Sequence, residues 1–373
     1  QKLSQGIGGA IGGAASPYIA SGVARVVDPV NRYATQALRS AGVKMTPGQL
    51  IGPGANRIEQ QAMSSPWVGQ KVAAARRDAM QDFNAGVIDQ SLKAINKGLP
   101  RAIKPDTPRA LAYARKTISS EYNQILGGAK VVFDRELIHD VAKLRMMRET
   151  WDGPLKNRFD KLLQTQIQNR ATSSGRMGGI NVKKVDEAIR DEAAKFKVSN
   201  DPMQREYGEA VSALHSAWRN AIKRSNGPDI EGRLAAADEA WALMKTAQRA
   251  NSSVNNADDV FTPAQYYNAI KAGDKTKDKR AFAEGMARNQ PLAKDAKNIL
   301  GNTYPDSGTA GRLNASTISG MVSTLPSLAL YPAYTQAGRR GLEKLLTDRG
   351  TGQTAQAMAD VIRRYGPIGT MPG

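Results

Sequence analysis

The sequence predicts a mainly α protein: an elongated multi-helix bundle with short turns, a Gly-rich N-terminal segment and little or no sheet. Three observations carry that expectation. Apolar residues recur at three- and four-residue spacing through most of residues 68–250. Helix-start signals precede these stripes at Thr46-Pro47, Asp106-Thr107-Pro108, Asp152-Gly153-Pro154, Asp201-Pro202 and Thr262-Pro263. Ala and Gly are abundant while Leu, Ile, Val and Phe are sparse, which favours thin helical seams over one large core.

Taken in order, Leu3 to Ala24 carries no charged side chain, and Gly8, Gly12, Ser16 and Ala20 recur every fourth residue. On a helix they form a flat strip that admits another helix closely, a candidate oligomer or membrane contact. Pro17 and the glycines weaken a spanning helix, so a Gly-rich linker or a tightly packed helix is the plainer reading. Asp28-Pro29 opens a short helix through Leu38. Thr46-Pro47-Gly48-Gln49 has the form of a capping box. A long helix follows Ser64-Ser65-Pro66-Trp67, with Val68, Val72, Ala75, Ala79, Phe83 and Val87 on one face and Arg76, Arg77, Asp78 and Asp82 largely off it.

Gly98-Leu99-Pro100 breaks the chain, and Arg101 to Pro105 is expected to be extended. Helical stripes follow: Leu111, Ile118, Tyr122 and Ile125; Leu137, Ile138, Val141, Leu144 and Met147 behind the cap Asp134; Leu155, Phe159, Leu162, Leu163 and Ile167. Ala171 to Gly179 reads as an exposed loop. Three more stripes run through Val182–Phe196, Met203–Ile222 and Leu234–Met244. Phe261 to Tyr266 repeats the capping-box form. Lys271 to Arg280 is a dense charge run, expected to be the exposed start of a helix. Leu313 to Gly338 is a second uncharged stretch, expected to be a buried hairpin or packing arm, and basic helices close the chain. The segments are therefore 1–44, 45–130, 131–260, 261–312 and 313–373, with the third as a central antiparallel bundle.

Charge is the strongest global constraint. The 53 Lys and Arg against 34 Asp and Glu give a formal +19. Residues 1–130 contribute +10, 131–260 contribute +2 and 261–373 contribute +7. Basic ends flanking a balanced middle favour contact with phosphate, in nucleic acid or in lipid headgroups. The absence of cysteine excludes disulfides, thiolate metal sites and a cysteine nucleophile. No secretory signal is visible, and Gln1 in place of Met is what a processed chain or a piece of a longer one would show.

Met45 to Asn84, together with Pro305-Asp306-Ser307-Gly308-Thr309-Ala310-Gly311-Arg312, resembles the internal virion proteins, also called DNA-ejection or pilot proteins, of short-tailed phages and related prophages. The two patches cover a minority of the chain. The resemblance implies a mostly helical structural protein held in the capsid interior and expelled with the genome. It would help build a conduit for DNA across the host envelope, beside the portal or further ejection proteins. A non-sequence-specific architectural DNA-binding protein is the alternative.

No enzyme is expected. His139 and His215 lack an H-x₃-H or Cys partner, so no metal site or cofactor is expected, and no G-x-S-x-G elbow occurs. Some ejection proteins carry a lytic transglycosylase domain, but Glu187, Glu192, Glu206 and Glu209 sit on amphipathic faces where solvation is the ordinary reading. For double-stranded DNA the best phosphate-facing candidates are Arg76, Arg77, Lys93, Lys97, Arg101 and Lys104, with Asp78, Asp82 and Asp89 moderating the attraction. A ring-like homo-oligomer is expected, because slender helices leave apolar faces that need partners.

Overall fold

A computed structural model describes residues 29–52 and 69–305, with Asn56, Glu59 and Met63 between them. The strip Gly8, Gly12, Ser16 and Ala20, the stretch 313–338 and nearly all of the Pro305–Arg312 patch lie outside the described residues. The described chain is mainly α, as expected. Its helices are α1 (Pro29–Ser40), α2 (Pro47–Ile51), α3 (Gly69–Lys93), α4 (Thr107–Gly128), α5 (Arg135–Met147), α6 (Gly153–Leu162), α7 (Ile180–Lys197), α8 (Pro202–Asn226), α9 (Pro228–Asn251), α10 (Pro263–Gly273), α11 (Arg280–Ala283) and α12 (Gln290–Leu300). Two short strands, β1 (Lys130–Val132) and β2 (Arg176–Gly178), pair antiparallel with Val131 opposite Met177.

The start signals act as the sequence suggests. Asp134, Asp152 and Asp201 each accept hydrogen bonds from backbone N–H groups in the first turn of the helix that follows. Thr46 and Thr262 both close full capping boxes with Gln49 and Gln265. Such caps satisfy amides that would otherwise be orphaned, at about 1 kcal/mol each.

The chain divides into two compact units that cut across the five sequence segments. In unit 1 the described residues are those of 29–90, 98–112 and 243–305; unit 2 comprises 91–97 and 113–242. Three of the boundaries fall inside α3, α4 and α9, where no linker marks them, and the fourth falls at the Gly98-Leu99-Pro100 break.

Within unit 1, α12 packs on α1 and α10. The aromatic centre is Phe83, Phe261 and Tyr266, with Phe261 and Tyr266 stacked at 5.8 Å and Phe83 edge-on to both. Asn84 joins distant parts of the sequence there. Its Nδ2 donates to the Phe261 carbonyl at 2.7 Å and its Oδ1 accepts the Phe261 N–H at 3.0 Å, an interaction spanning 177 positions. Both groups are buried, so this pairing satisfies backbone atoms that water cannot reach.

α3 and the turn after α1 approach closely because Gly86 has no Cβ. A methyl group there would overlap the Ala41 carbonyl oxygen, which is backbone and has little room to yield. Gly86→Ala gains up to about 1 kcal/mol of helix propensity but meets an overpacking cost of about 1–3 kcal/mol. We expect net destabilisation, seen as faster amide exchange along α3; unchanged exchange would show that the turn shifts freely.

Unit 2 is built around α8, which lies along α7 and also touches α5 and β1. Tyr207, Val211, Leu214, Trp218 and Ile222 are buried along it, against Val182, Val185 and Ile189 of α7. Three expectations are corrected here. Arg101 to Ile103 forms a 3-10 turn rather than an extended run. Part of the Ala171–Gly179 loop is β2, which pairs with β1. On α5 only Leu137 and Leu144 are buried; Ile138 and Met147 are exposed, so that stripe is half used.

Candidate functional site

The capping box at Thr46 leads to a buried polar clamp in unit 1. The Thr46 hydroxyl accepts the Gln49 N–H at 3.4 Å and donates to Glu59 Oε1 at 2.5 Å. The Gly48 N–H donates to Glu59 Oε2 at 2.7 Å. Arg76 closes the arrangement, with Nε 2.7 Å from Glu59 Oε1 and Nη2 on the Asn56 side chain and carbonyl. Glu59 is 2% exposed and Arg76 5%. Gly48 is required by this packing, since a Cβ would stand 2.5 Å from Glu59 Oε2. The second capping box has Ala264 at the matching position.

Arg76 is thereby corrected as a phosphate-facing candidate: its guanidinium is spent on Glu59. The reason lies in its register. Arg76 is four residues after Val72 and three before Ala79, so it sits on the buried stripe of α3 rather than off it. Arg77 is half-buried, whereas Lys93, Lys97, Arg101 and Lys104 are exposed. Two of the proposed moderating acids have local work. Asp82 accepts the Lys44 N–H at 3.2 Å, and Asp89 accepts the Leu99 N–H at 2.6 Å.

Unit 2 holds a second network, which the sequence reading missed. Asp186 of α7 is fully buried. Its carboxylate meets His215 Nε2 at 3.0 Å and Arg219 Nη2 at 2.8 Å, with Arg219 Nε also bonded. Arg219 lies over the Tyr122 ring, and the Tyr122 hydroxyl donates to Asp238 at 2.5 Å. Burial is the largest influence on Asp186 and pushes its pKa up. The hydrogen bond from His215, with the charge and hydrogen bonds of Arg219, outweighs it and holds the carboxyl below its usual range. Burial, then the Asp238 hydrogen bond, drives the Tyr122 phenol far upward.

A parallel arrangement surrounds Glu192, which takes Arg158 and the Tyr207 hydroxyl at 2.8 Å, beside the rings of Trp151, Phe159 and Phe196. A signal for these acids existed. Asp186 lies between Val182 and Ile189 on the α7 stripe, and His215 lies between Val211 and Trp218 on the α8 stripe. Polar residues at core positions of facing helices mark a buried pair.

These networks act as positioning devices: Glu59, Asp186 and Glu192 are each matched to a base and, at Glu59 and Glu192, also to a hydroxyl. His139 is exposed on α5. Among the described residues, no group of three or more His, Cys, Asp and Glu side chains is placed to hold a metal ion. Among the same residues no helix is long and apolar enough to cross a membrane. Family models, characterised proteins and solved structures yield no match to this chain, so its site rests on its own chemistry.

Proposed function

We propose that this chain is a structural, non-enzymatic internal virion protein, expelled with the genome and contributing to an oligomeric conduit for DNA across the host envelope. The observation that carries the reading is the formal +19, together with buried acids matched internally and basic side chains exposed among the described residues. Asp186, Glu192 and Glu59 are matched internally, while Lys97, Arg101 and Lys104 are exposed. The resemblance of Met45–Asn84 to ejection proteins and the mainly helical build support the same reading. Thin Ala/Gly seams support self-association, with the other virion proteins as neighbours.

The test is the protein content of purified particles. Mass spectrometry should find the chain in DNA-filled particles and find it depleted from particles that have released their genome. Its absence from filled particles, with recovery on host DNA instead, would leave the architectural DNA-binding alternative. Light scattering on the purified chain should give a multiple of the monomer mass; a monomer in both detergent and aqueous buffer would remove the oligomeric part.

A further inference from the structure

We propose that the lysine-rich surface of unit 1 formed by α10, the loop after it and α12 binds the backbone phosphates of duplex DNA. Residues 271–300 carry eight basic side chains, Lys271, Lys275, Lys277, Lys279, Arg280, Arg288, Lys294 and Lys297, against four acids. All eight are exposed.

The loop is folded around Asp274, while Asp278 stays exposed between Lys277 and Lys279. Asp274 accepts the Thr276 N–H at 2.9 Å, the Thr276 hydroxyl at 2.7 Å and the Phe282 N–H at 2.8 Å. The Thr276 hydroxyl oxygen in turn accepts the Ala281 N–H at 3.0 Å. These bonds spend Asp274 inside the loop, and its carboxyl is held below its usual range chiefly by the Thr276 hydroxyl. Glu284 is engaged by Arg280 at 2.7 Å. Lys275, Lys277 and Lys294 have no ion-pair partner among the described residues. Two consecutive non-glycine residues, Asp278 at φ 55° and Lys279 at φ 54°, hold left-handed backbone, a strained conformation costing of order 1 kcal/mol each. The chain meets that cost while presenting Lys277 and holding the Lys279 ammonium at the surface, where it donates to the Lys271 carbonyl at 2.9 Å.

The chemistry selects a duplex among polyanions. Tyr267 and Phe282 pack edge to face at 4.9 Å, and an ammonium covers each ring: Lys297 over Tyr267 at 5.4 Å and Lys271 over Phe282 at 5.9 Å. Covered rings do not offer the stacking platform that single strands require. Met286 is the one large apolar side chain strongly exposed in this stretch of the described residues, too little for insertion into a bilayer. What remains is a spread of fixed positive charge, suited to sequence-independent phosphate contact. This surface deepens the virion reading and rests on it for the choice of DNA.

The experiment titrates the full chain against a fluorescent 40-base-pair duplex of mixed sequence between roughly 50 and 200 mM salt. The variant Lys275→Gln/Lys277→Gln/Lys279→Gln should lower the slope of log affinity against log salt by about 3 and weaken binding on the order of a hundredfold near 100 mM salt. Replacing the same three lysines by arginine should preserve both, which separates charge from folding. Wild-type slope and affinity in the glutamine variant overturns the proposal, as does selective loss in Lys97→Gln/Arg101→Gln/Lys104→Gln. Co-sedimentation with vesicles containing phosphatidylserine, lost in the glutamine variant while duplex binding is retained, overturns it in favour of a lipid surface. The virion reading fails separately, by absence from filled particles.

Discussion

Arg76→Ala should destabilise unit 1 by about 3–5 kcal/mol, the range for leaving one member of a buried ion pair behind. The Glu59 carboxylate would keep the Thr46 hydroxyl and the Gly48 N–H as donors but lose the Arg76 guanidinium at 2.7 Å. At 2% exposure water cannot make up the loss without opening the clamp. The Thr46 capping box would loosen with it, because the same hydroxyl serves Gln49 and Glu59. Amide exchange along α2 and α3 is the suitable readout, since unfolding of a two-unit chain need not be a single transition. Exchange unchanged within a factor of two would show the pair to be dispensable. The double variant Glu59→Gln/Arg76→Met should cost less than Arg76→Ala alone, because neither leaves a bare charge in the core.

This expectation bears on function by subtraction. A guanidinium that holds α3 against the Thr46 turn is not available to a phosphate, so Arg76→Ala should alter DNA affinity only through stability. The lysines of the α10–α12 surface have the opposite character: their replacement should leave stability within about 0.5 kcal/mol, the usual range for exposed positions, and change binding.

The helices were legible because their stripes and caps are local. Thr46, Asp134, Asp152, Asp201 and Thr262 each announce a helix within four residues, and each performs that role in the structure. What was not legible depends on distant partners. The Asn84 clamp on Phe261 joins residues 177 positions apart, and nothing near either residue announces the other. β2 was read as a loop because Arg176-Met177-Gly178 has no strand pattern of its own; pairing with β1 makes it one. Arg76 departs from the expectation because register outranks charge in placing it. At Val72, Arg76, Ala79 and Phe83 the period alone puts the guanidinium in the core, and a core cation implies a buried acid somewhere. The basic run at 271–280 is not the start of a helix: α10 ends at Gly273, and Lys275, Lys277 and Lys279 follow it in a loop built around Asp274.

Asp186→Ala should destabilise unit 2 by about 3–5 kcal/mol and remove an acid-sensitive component of its stability. Arg219 would lose both bonds to the carboxylate, with Asp238 at 3.7 Å the nearest remaining acid and itself more than half exposed. The sign of the pH effect follows from the native carboxyl lying below its ordinary range. Above its unfolded value near pH 4 the native state gains the full benefit of the ionised group. As pH falls through the lower native value the carboxylate takes a proton, the bonds from Arg219 and His215 weaken, and that benefit is lost. Wild-type stability should therefore drop steeply below about pH 4, and the variant less so over the same interval. Trp151, Trp218 and Trp241 all belong to unit 2, so tryptophan fluorescence in a urea series at pH 7 and at pH 3 reads this unit preferentially. Equal pH sensitivity in wild type and variant would assign the acid response to other carboxylates, with Glu192, bonded to Arg158 and Tyr207, the next to replace. A companion change, Asp186→Leu with Arg219→Met, should recover part of the loss at pH 7, since two matched apolar side chains leave neither charge stranded between α7 and α8.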